Sequence, residues 1–285
     1  ALAEIKTNYA KRLNFRINTY LEATLLKGLT LKTELSTDYN LNKTKTYQPD
    51  YKFGVRESSQ RDGAWYKNDT KYWSWRNILT YNGTIAEKHN INVMAGQEMS
   101  QSYWENFAAS NSGYLSNSVT DLIAGATTGA NINLTQGNQD GYKLYSYFGR
   151  ALYNYADRYL LTATLRCDGS NKFAEGHRWG WFPSAAFAWR ASQENFLKDN
   201  KVINNLKLRL GWGATGNQNV QQWAYAAMLK NYTTSWGVGV MNANNANPEL
   251  KWETTYSTNV GFDLSLFNSR IDIVNNYHAR MLSCA

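Results

Sequence analysis

The chain has 285 residues, 43% of them hydrophobic and 14% aromatic, a composition that excludes a disordered chain. Twenty Tyr and 11 Trp against three Pro favour strands. The net charge of +8 is never gathered into a basic run, which argues against a nucleic-acid partner. Cys167 and Cys284 stand far apart, as do His89, His177 and His278, so the sequence offers neither a metal site nor a cofactor motif. A mean hydropathy of −0.57 leaves no 18-residue apolar run for a spanning helix, although a spanning β-barrel also averages out as polar.

Period-two alternation begins at Leu13, where Leu13, Phe15, Ile17, Leu21 and Leu25 face away from Asn14, Arg16, Asn18, Glu22 and Thr24. The same test applied along the chain predicts about ten strands, at 12–26, 29–39, 71–84, 90–104, 142–155, 159–168, 179–190, 204–215, 251–266 and 270–280, with boundaries good to about 2 to 4 residues. In the segment 251–266 the apolar set is Trp252, Thr254, Tyr256, Thr258, Val260, Phe262, Leu264 and Leu266. Beyond Val274 the phase changes, with Val274 on the polar side and Asn275 on the apolar side.

The connections alternate in length. Lys27-Gly28, 85–89, 156–158 and Asn268-Ser269 are tight, 40–70, 105–141 and 216–250 are long, and 169–178 is intermediate. Residues 191–203 read as a connection with a helical turn capped by Ser192.

These strands exceed the ordinary length of about five or six residues and match the 9 to 11 that a spanning strand needs. Tight turns on one rim and long loops on the other are what an outer-membrane barrel requires. Trp181 and Trp189 share the apolar face eight residues apart, which projects to about 20 Å, near the height of an apolar band between aromatic girdles. The fold expected is therefore all-β, an antiparallel transmembrane β-barrel in contact with outer-membrane lipid. A cationic side chain on the lipid face near the midplane costs about 2 to 4 kcal/mol, so Arg16, Glu22, Arg150, Arg166, Lys207, Arg209, Glu253 and Asp263 are expected to face the lumen.

Three stretches carry a more specific signal: YFGRALYNYADRYLLTATLRCDGSNKFAEGHRWGWFPSAAFAWRASQENFL at 147–197, INNLKLRLGWGATGNQ at 203–218 and NPELKWETTYSTNVGFDLSLFNSRI at 247–271. They resemble the SusC/RagA family of TonB-dependent outer-membrane transporters. The resemblance is strongest over 142–271 and weaker over 12–104, through ILTYN and NINVMAGQE. The loops at 40–70 and 106–140 carry none, residues 272–285 are left unassigned, and the terminal ARMLSCA does not look like the family.

The resemblance implies a barrel of about 22 strands around an N-terminal plug. It further implies import of oligosaccharides or oligopeptides, energy delivered through TonB, and a SusD-like surface lipoprotein as partner. On that basis residues 1–285 read as a partial barrel domain of about ten strands, with the plug, the TonB-contacting segment and the terminal aromatic strand lying elsewhere. The departure from the family pattern near residue 275 suggests a junction or truncation.

Catalysis finds no support. Glu253 and Asp263 stand about 33 Å apart along one strand, beyond any glycosidase pair, and His177 has no nucleophile beside it in sequence. Cys167 reads as a small strand side chain. For ligands the candidates are aromatic residues in the expected outer loops, namely Trp65, Tyr66, Tyr103, Trp104, Trp223, Tyr225 and Trp236, with the amide-rich NANNAN at 242–247. Loop packing or contact with a capping protein is the competing role for each. The alternatives to an importer are a passive porin or adhesin barrel, and a soluble glycan-binding β-protein.

Overall fold

The computed structural model describes residues 7–115, 117, 121–122, 133–198 and 200–283. Cys284 lies outside them. Ten long strands form one antiparallel sheet: β1 (Thr7–Leu26), β2 (Leu29–Gln48), β5 (Asp62–Ile85), β6 (His89–Ser112), β7 (Asn133–Tyr155), β8 (Tyr159–Ser170), β9 (Trp179–Arg190), β10 (Ile203–Asn217), β13 (Glu253–Leu266) and β14 (Ile271–Ser283). They hydrogen-bond in that order, with β1 and β14 at the edges. Two small hairpins stand apart, β3 (Tyr51–Phe53) with β4 (Arg56–Ser58), and β11 (Leu229–Thr234) with β12 (Gly237–Asn242).

All ten expected strands are present, but five run further at the loop end than alternation indicated, β1 among them, starting at Thr7. β2 continues to Gln48, β5 starts at Asp62, β6 continues to Ser112 and β7 starts at Asn133. Much of the expected loops 40–70 and 105–141 is therefore strand. Beyond the bilayer both faces are wet, so the chain has no reason to keep apolar residues on one of them and the period fades.

The tight turns have the backbone a short hairpin needs. Ala86 with Glu87, and Ala156 with Asp157, sit consecutively in the left-handed region, the geometry whose twist matches the flanking strands. Asn154 supports the second turn by accepting from the Asp157 N–H at 3.0 Å. Gly28, at φ +81°, is required outright, because a Cβ there would lie 2.1 Å from the Asn82 carbonyl oxygen. The expected helical turn is smaller than the sequence suggested: a single 3-10 turn covers Ala191–Gln193. Ser192 does not cap it but lies buried inside it, and no side chain caps it.

The chain divides into two compact units, one of residues 1–19, 36–74 and 101–142, the other of 20–35, 75–100 and 143–285. In the second unit the register sorts the side chains cleanly. One cross-strand row runs Tyr153, Leu161, Phe187, Leu210, Val260, Tyr277, and the next Tyr155, Tyr159, Trp189, Leu208, Phe262, Asn275. The intervening rows, on the other face, include Arg150, Thr164, Ser184, Gly213, Ser257, Arg280, and Asn154, Leu160, Ala188, Arg209, Gly261, Asn276.

The apolar rows are the exposed ones: Leu210 is 53% exposed and Trp181 63%. A sheet whose apolar face is bare while its polar face carries the ion pairs is built for a hydrocarbon solvent on one side. Aromatic rings cluster toward the ends of the apolar face. Tyr147 stacks on Trp179, Trp212 on Tyr256 and Tyr155 on Tyr159, with centroids 6.1, 6.2 and 6.3 Å apart. At the turn end their polar tips converge on Glu194, which accepts from Tyr159 Oη at 2.6 Å and from Trp189 Nε1 at 3.2 Å. These bonds, the Tyr159 one foremost, hold the Glu194 carboxyl below the usual carboxylate range.

One expected position is corrected. Trp252 does not lie on the apolar face of β13, because the strand starts one residue later, at Glu253. Its ring instead packs with Phe173 and Phe182, both centroids 5.3 Å away, in a small core. Its Nε1–H donates to the Arg178 carbonyl at 2.8 Å. Gly180 and Gly216 leave the room: a Cβ on the first would meet Trp252 at 2.9 Å and on the second Phe182 at 2.1 Å.

Candidate functional site

In the first unit, alternation along β1, β2, β5 and β6 divides the residues into an odd-numbered face, carrying Leu13, Phe15, Ile17 and Trp73, and an even-numbered one. Side-chain contacts confirm that the strands share these faces. Arg12 Nε donates to Asn42 and Arg16 Nε to Asp38 at 2.9 and 2.7 Å on the even face, and Tyr39 Oη donates to Asp69 at 3.2 Å on the odd face.

The even face is dominated by amides and hydroxyls. At its loop end lies a cavity of about 500 Å³, lined among others by Asn8, Thr46, Gln48, Asp62, Ser110 and Ser112. Among the described residues no lysine or arginine lines it. Such a lining can exchange hydrogen bonds with a neutral, polyhydroxylated or amide-bearing ligand.

Above the strands a polar cluster ties three segments together. Arg61 donates to the Tyr114 and Leu115 carbonyls at 2.7 and 2.9 Å and to Asp50 at 2.7 Å. Asn117 also donates to Asp50, at 2.9 Å, and Tyr47 Oη donates to Asn117 at 3.2 Å. Tyr47 and Tyr114 meet edge to face at 5.3 Å, both almost fully buried. Gly63 gives Tyr114 its place, since a Cβ there would lie 2.4 Å from the phenol oxygen. The Arg61 hydrogen bond, followed by that from Asn117, lowers the Asp50 pKa to about 2, while burial raises that of Tyr114. Sequence reading missed this cluster because it joins residues 50, 61, 114 and 117 across stretches treated as featureless loops.

The expected ligand aromatics are not gathered into one place. Trp65 and Tyr66 are in β5, and Tyr103 and Trp104 in β6, so all four are on strands and not in loops as expected. Neighbouring residues of a strand point to opposite faces. Tyr66 and Trp104 thus belong to the even, polar face, and Trp65 and Tyr103 to the odd one. Trp223 and Tyr225 sit together in a turn, 6.0 Å apart, and Trp236 caps the β11–β12 hairpin at 97% exposure.

Among the charged residues, Arg16 pairs with Asp38, and Glu22 is exposed on β1. Arg150 is opposite Thr164, and Lys207 stands between Arg190 and Asp263. Arg166 contacts Asp168 at 2.8 Å, Ser146 at 2.9 Å and the Phe148 ring at 5.6 Å. Arg209 pairs with Asp263, and Glu253 accepts from Asn217 at 2.8 Å. All eight are on the face opposite the apolar rows. His177 approaches only Glu249, at 3.9 Å, Cys167 is buried and unpaired, and no metal-binding cluster occurs among the described residues.

A long-stranded antiparallel sheet with an exposed apolar face, aromatic ends and an ion-paired polar face defines an outer-membrane β-barrel wall. The sequence model described as "TonB dependent receptor-like, beta-barrel" matches residues 4–277, and the chain belongs to that family of Gram-negative outer-membrane proteins. It is 30% identical over 276 residues to TonB-dependent receptor P39 of Formosa agariphila, covering 96% of this chain and 26% of the relative. It is 44% identical over 136 residues to TonB-dependent receptor SusC of Bacteroides thetaiotaomicron, covering 45% of this chain and 14% of SusC. The solved RagAB peptide transporter superposes with a TM-score of 0.90 at 22% identity, over 98% of this chain and 31% of that one, and so shares the fold. The chain spans about a quarter of the length of the full-length curated relatives it matches over nearly all its residues.

Proposed function

We propose that this chain forms part of the wall of an active importer that carries oligosaccharides or oligopeptides across the outer membrane. Energy reaches it through TonB, and a SusD-like surface lipoprotein covers the outer end. The chain performs no chemistry on its cargo. Membership of the TonB-dependent receptor family supports the mode of transport. The observation that carries the cargo class is the amide- and hydroxyl-rich face of the first unit, with a cavity that no lysine or arginine among the described residues lines. Tyr66 and Trp104 are the aromatic residues on that face that offer a flat surface to a sugar or peptide unit.

The test is uptake of labelled oligosaccharides and oligopeptides by cells carrying the full receptor. Trp104→Ala and Tyr66→Ala each reduce uptake about tenfold, the loss of one to two kcal/mol of aromatic contact, whereas Trp65→Ala and Tyr103→Ala leave it within about twofold. Removing TonB abolishes uptake. Uptake that persists without TonB identifies a passive pore instead.

A further inference from the structure

In the parts of β1, β2, β5 and β6 that belong to the first unit, residues 7–19, 36–48, 62–74 and 101–112, every lysine is on one face, whereas Lys32, nearer the tight turn of β2, is on the other. Lys11 of β1, Lys43 and Lys45 of β2, and Lys67 and Lys71 of β5 are all odd-numbered, and the even face of the same stretches carries arginines, Arg12 and Arg16. This is the same face that carries Leu13, Phe15, Ile17 and Trp73, so the ammonium groups follow directly on the apolar band: Lys11 precedes Leu13 and Lys71 precedes Trp73 by one pleat. They lie in the halves of the strands remote from the tight turns, which in an outer-membrane barrel is the outer side.

Aromatic rings hold several of these ammonium groups in place. Lys45 Nζ lies 3.8 Å from the Trp65 centroid, and Lys71 Nζ lies 6.0 Å from those of both Tyr39 and Tyr103. Asp69 and Glu105 are the acidic residues on the face. Asp69 is 5% exposed and already engaged by Tyr39 at 3.2 Å and Lys67 at 3.8 Å. Lys11, Lys43, Lys45 and Lys71 make no ion pair among the described residues and are exposed.

Five cations against two anions, on the side of the wall that meets lipid and at the level where hydrocarbon ends, fit one occupant. We propose that this face binds the phosphorylated headgroup of an outer-leaflet glycolipid, its phosphate oxygens pairing with Lys43, Lys45 and Lys71 above acyl chains that lie on Leu13, Phe15 and Trp73. A soluble anion has no use for the adjoining apolar rows, and cargo passes on the opposite face. Trp65 and Tyr103, which the cargo reading leaves without a part, here hold the lysines.

The experiment uses the complete receptor, purified in mild detergent, incubated with lipid A, dephosphorylated lipid A or phosphatidylglycerol and passed through gel filtration, with retained lipid read by mass spectrometry. Wild-type receptor is expected to retain lipid A in preference to the other two. The variant Lys11→Gln/Lys43→Gln/Lys45→Gln/Lys67→Gln/Lys71→Gln is expected to retain about tenfold less or lower still, since each basic group at a charged surface contributes a few-fold. A control variant with Lys88→Gln and Lys201→Gln, at the opposite end, keeps the wild-type amount. Unchanged heat-modifiable mobility on gels verifies folding of each. Should the fivefold variant not assemble, Lys43→Gln/Lys45→Gln is expected to give a several-fold loss. Equal retention by the lysine variants, or equal retention of dephosphorylated lipid A or phosphatidylglycerol by the wild type, overturns the proposal.

Discussion

Arg209 Nη2 lies 2.6 Å from Asp263 Oδ1, although the two are not directly opposite each other: Arg209 is opposite Gly261, and Asp263 opposite Lys207. Gly261 makes the diagonal possible, since a Cβ there would come within 3.4 Å of the guanidinium and 2.5 Å of the Asn276 side chain. The wall thus spends a strand glycine on clearing its polar face for an ion pair, one residue away from the lipid-facing Leu210 and Val260.

Both partners are about a quarter to a third exposed, so their attraction is screened. Asp263→Asn is expected to lower stability by less than about 1 kcal/mol. Leu210→Arg, on the other face of the same strand, is expected to cost about 2 to 4 kcal/mol near the midplane. Denaturant titration of the receptor refolded into vesicles, with both variants measured side by side, checks the ratio.

The core around Trp252 should behave as an ordinary soluble core. Trp252→Ala removes a ring that fills the space against Phe173 and Phe182, at an expected cost of about 3 to 5 kcal/mol. Trp252→Phe keeps most of the packing and removes one of the two hydrogen bonds to the Arg178 carbonyl, which still accepts from the Ser170 N–H at 3.0 Å, so about 0.5 to 1.5 kcal/mol is expected. Gly216→Val forces a methyl-bearing carbon into the Phe182 ring and should destabilise as well. Thermal unfolding of the same loop region, read by hydrogen exchange, ranks the three.

The cluster at Asp50 predicts a pH dependence. Its folded pKa of about 2 is lower than the ordinary aspartate value. Its contribution is thus fully present above about pH 4 and is lost as the pH falls toward about 2. Amide protection of Gly113, whose N–H donates to the Arg61 carbonyl at 3.0 Å, should be flat from pH 7 to about 5 and fall only in that acid window. In Asp50→Asn, where Arg61 loses its charged partner, protection should be reduced at every pH.

How far the sequence foretold this follows from which residues feel the bilayer. Within the span every second residue meets hydrocarbon, so Leu206 to Ala214 and Tyr256 to Leu266 announce both strand and face. Above it the solvent is water on both sides, and NLNKTKTYQ at 40–48 reads as a loop while folding as strand. The same loss of signal hid the opposite orientations of Trp65 and Tyr66, since a pair treated as loop has no faces. Trp252 was misplaced by extending a correct period one residue past the strand end. The Asp50, Arg61, Tyr114 and Asn117 cluster has no local signature, because its partners are distant in sequence and meet only through the fold.

Successive residues of β10 look alternately into lipid and into the lumen, and single cysteines read this alternation out. In the complete receptor with Cys167→Ala, the variants Leu208→Cys, Arg209→Cys, Leu210→Cys and Gly211→Cys would be treated in intact outer membranes with a charged, lipid-insoluble maleimide. Labelling is expected at 209 and 211 and protection at 208 and 210, with the pattern reversed for a lipid-soluble reagent. Uniform labelling of all four positions, or protection at 209 and 211 with labelling at 208 and 210, would contradict it.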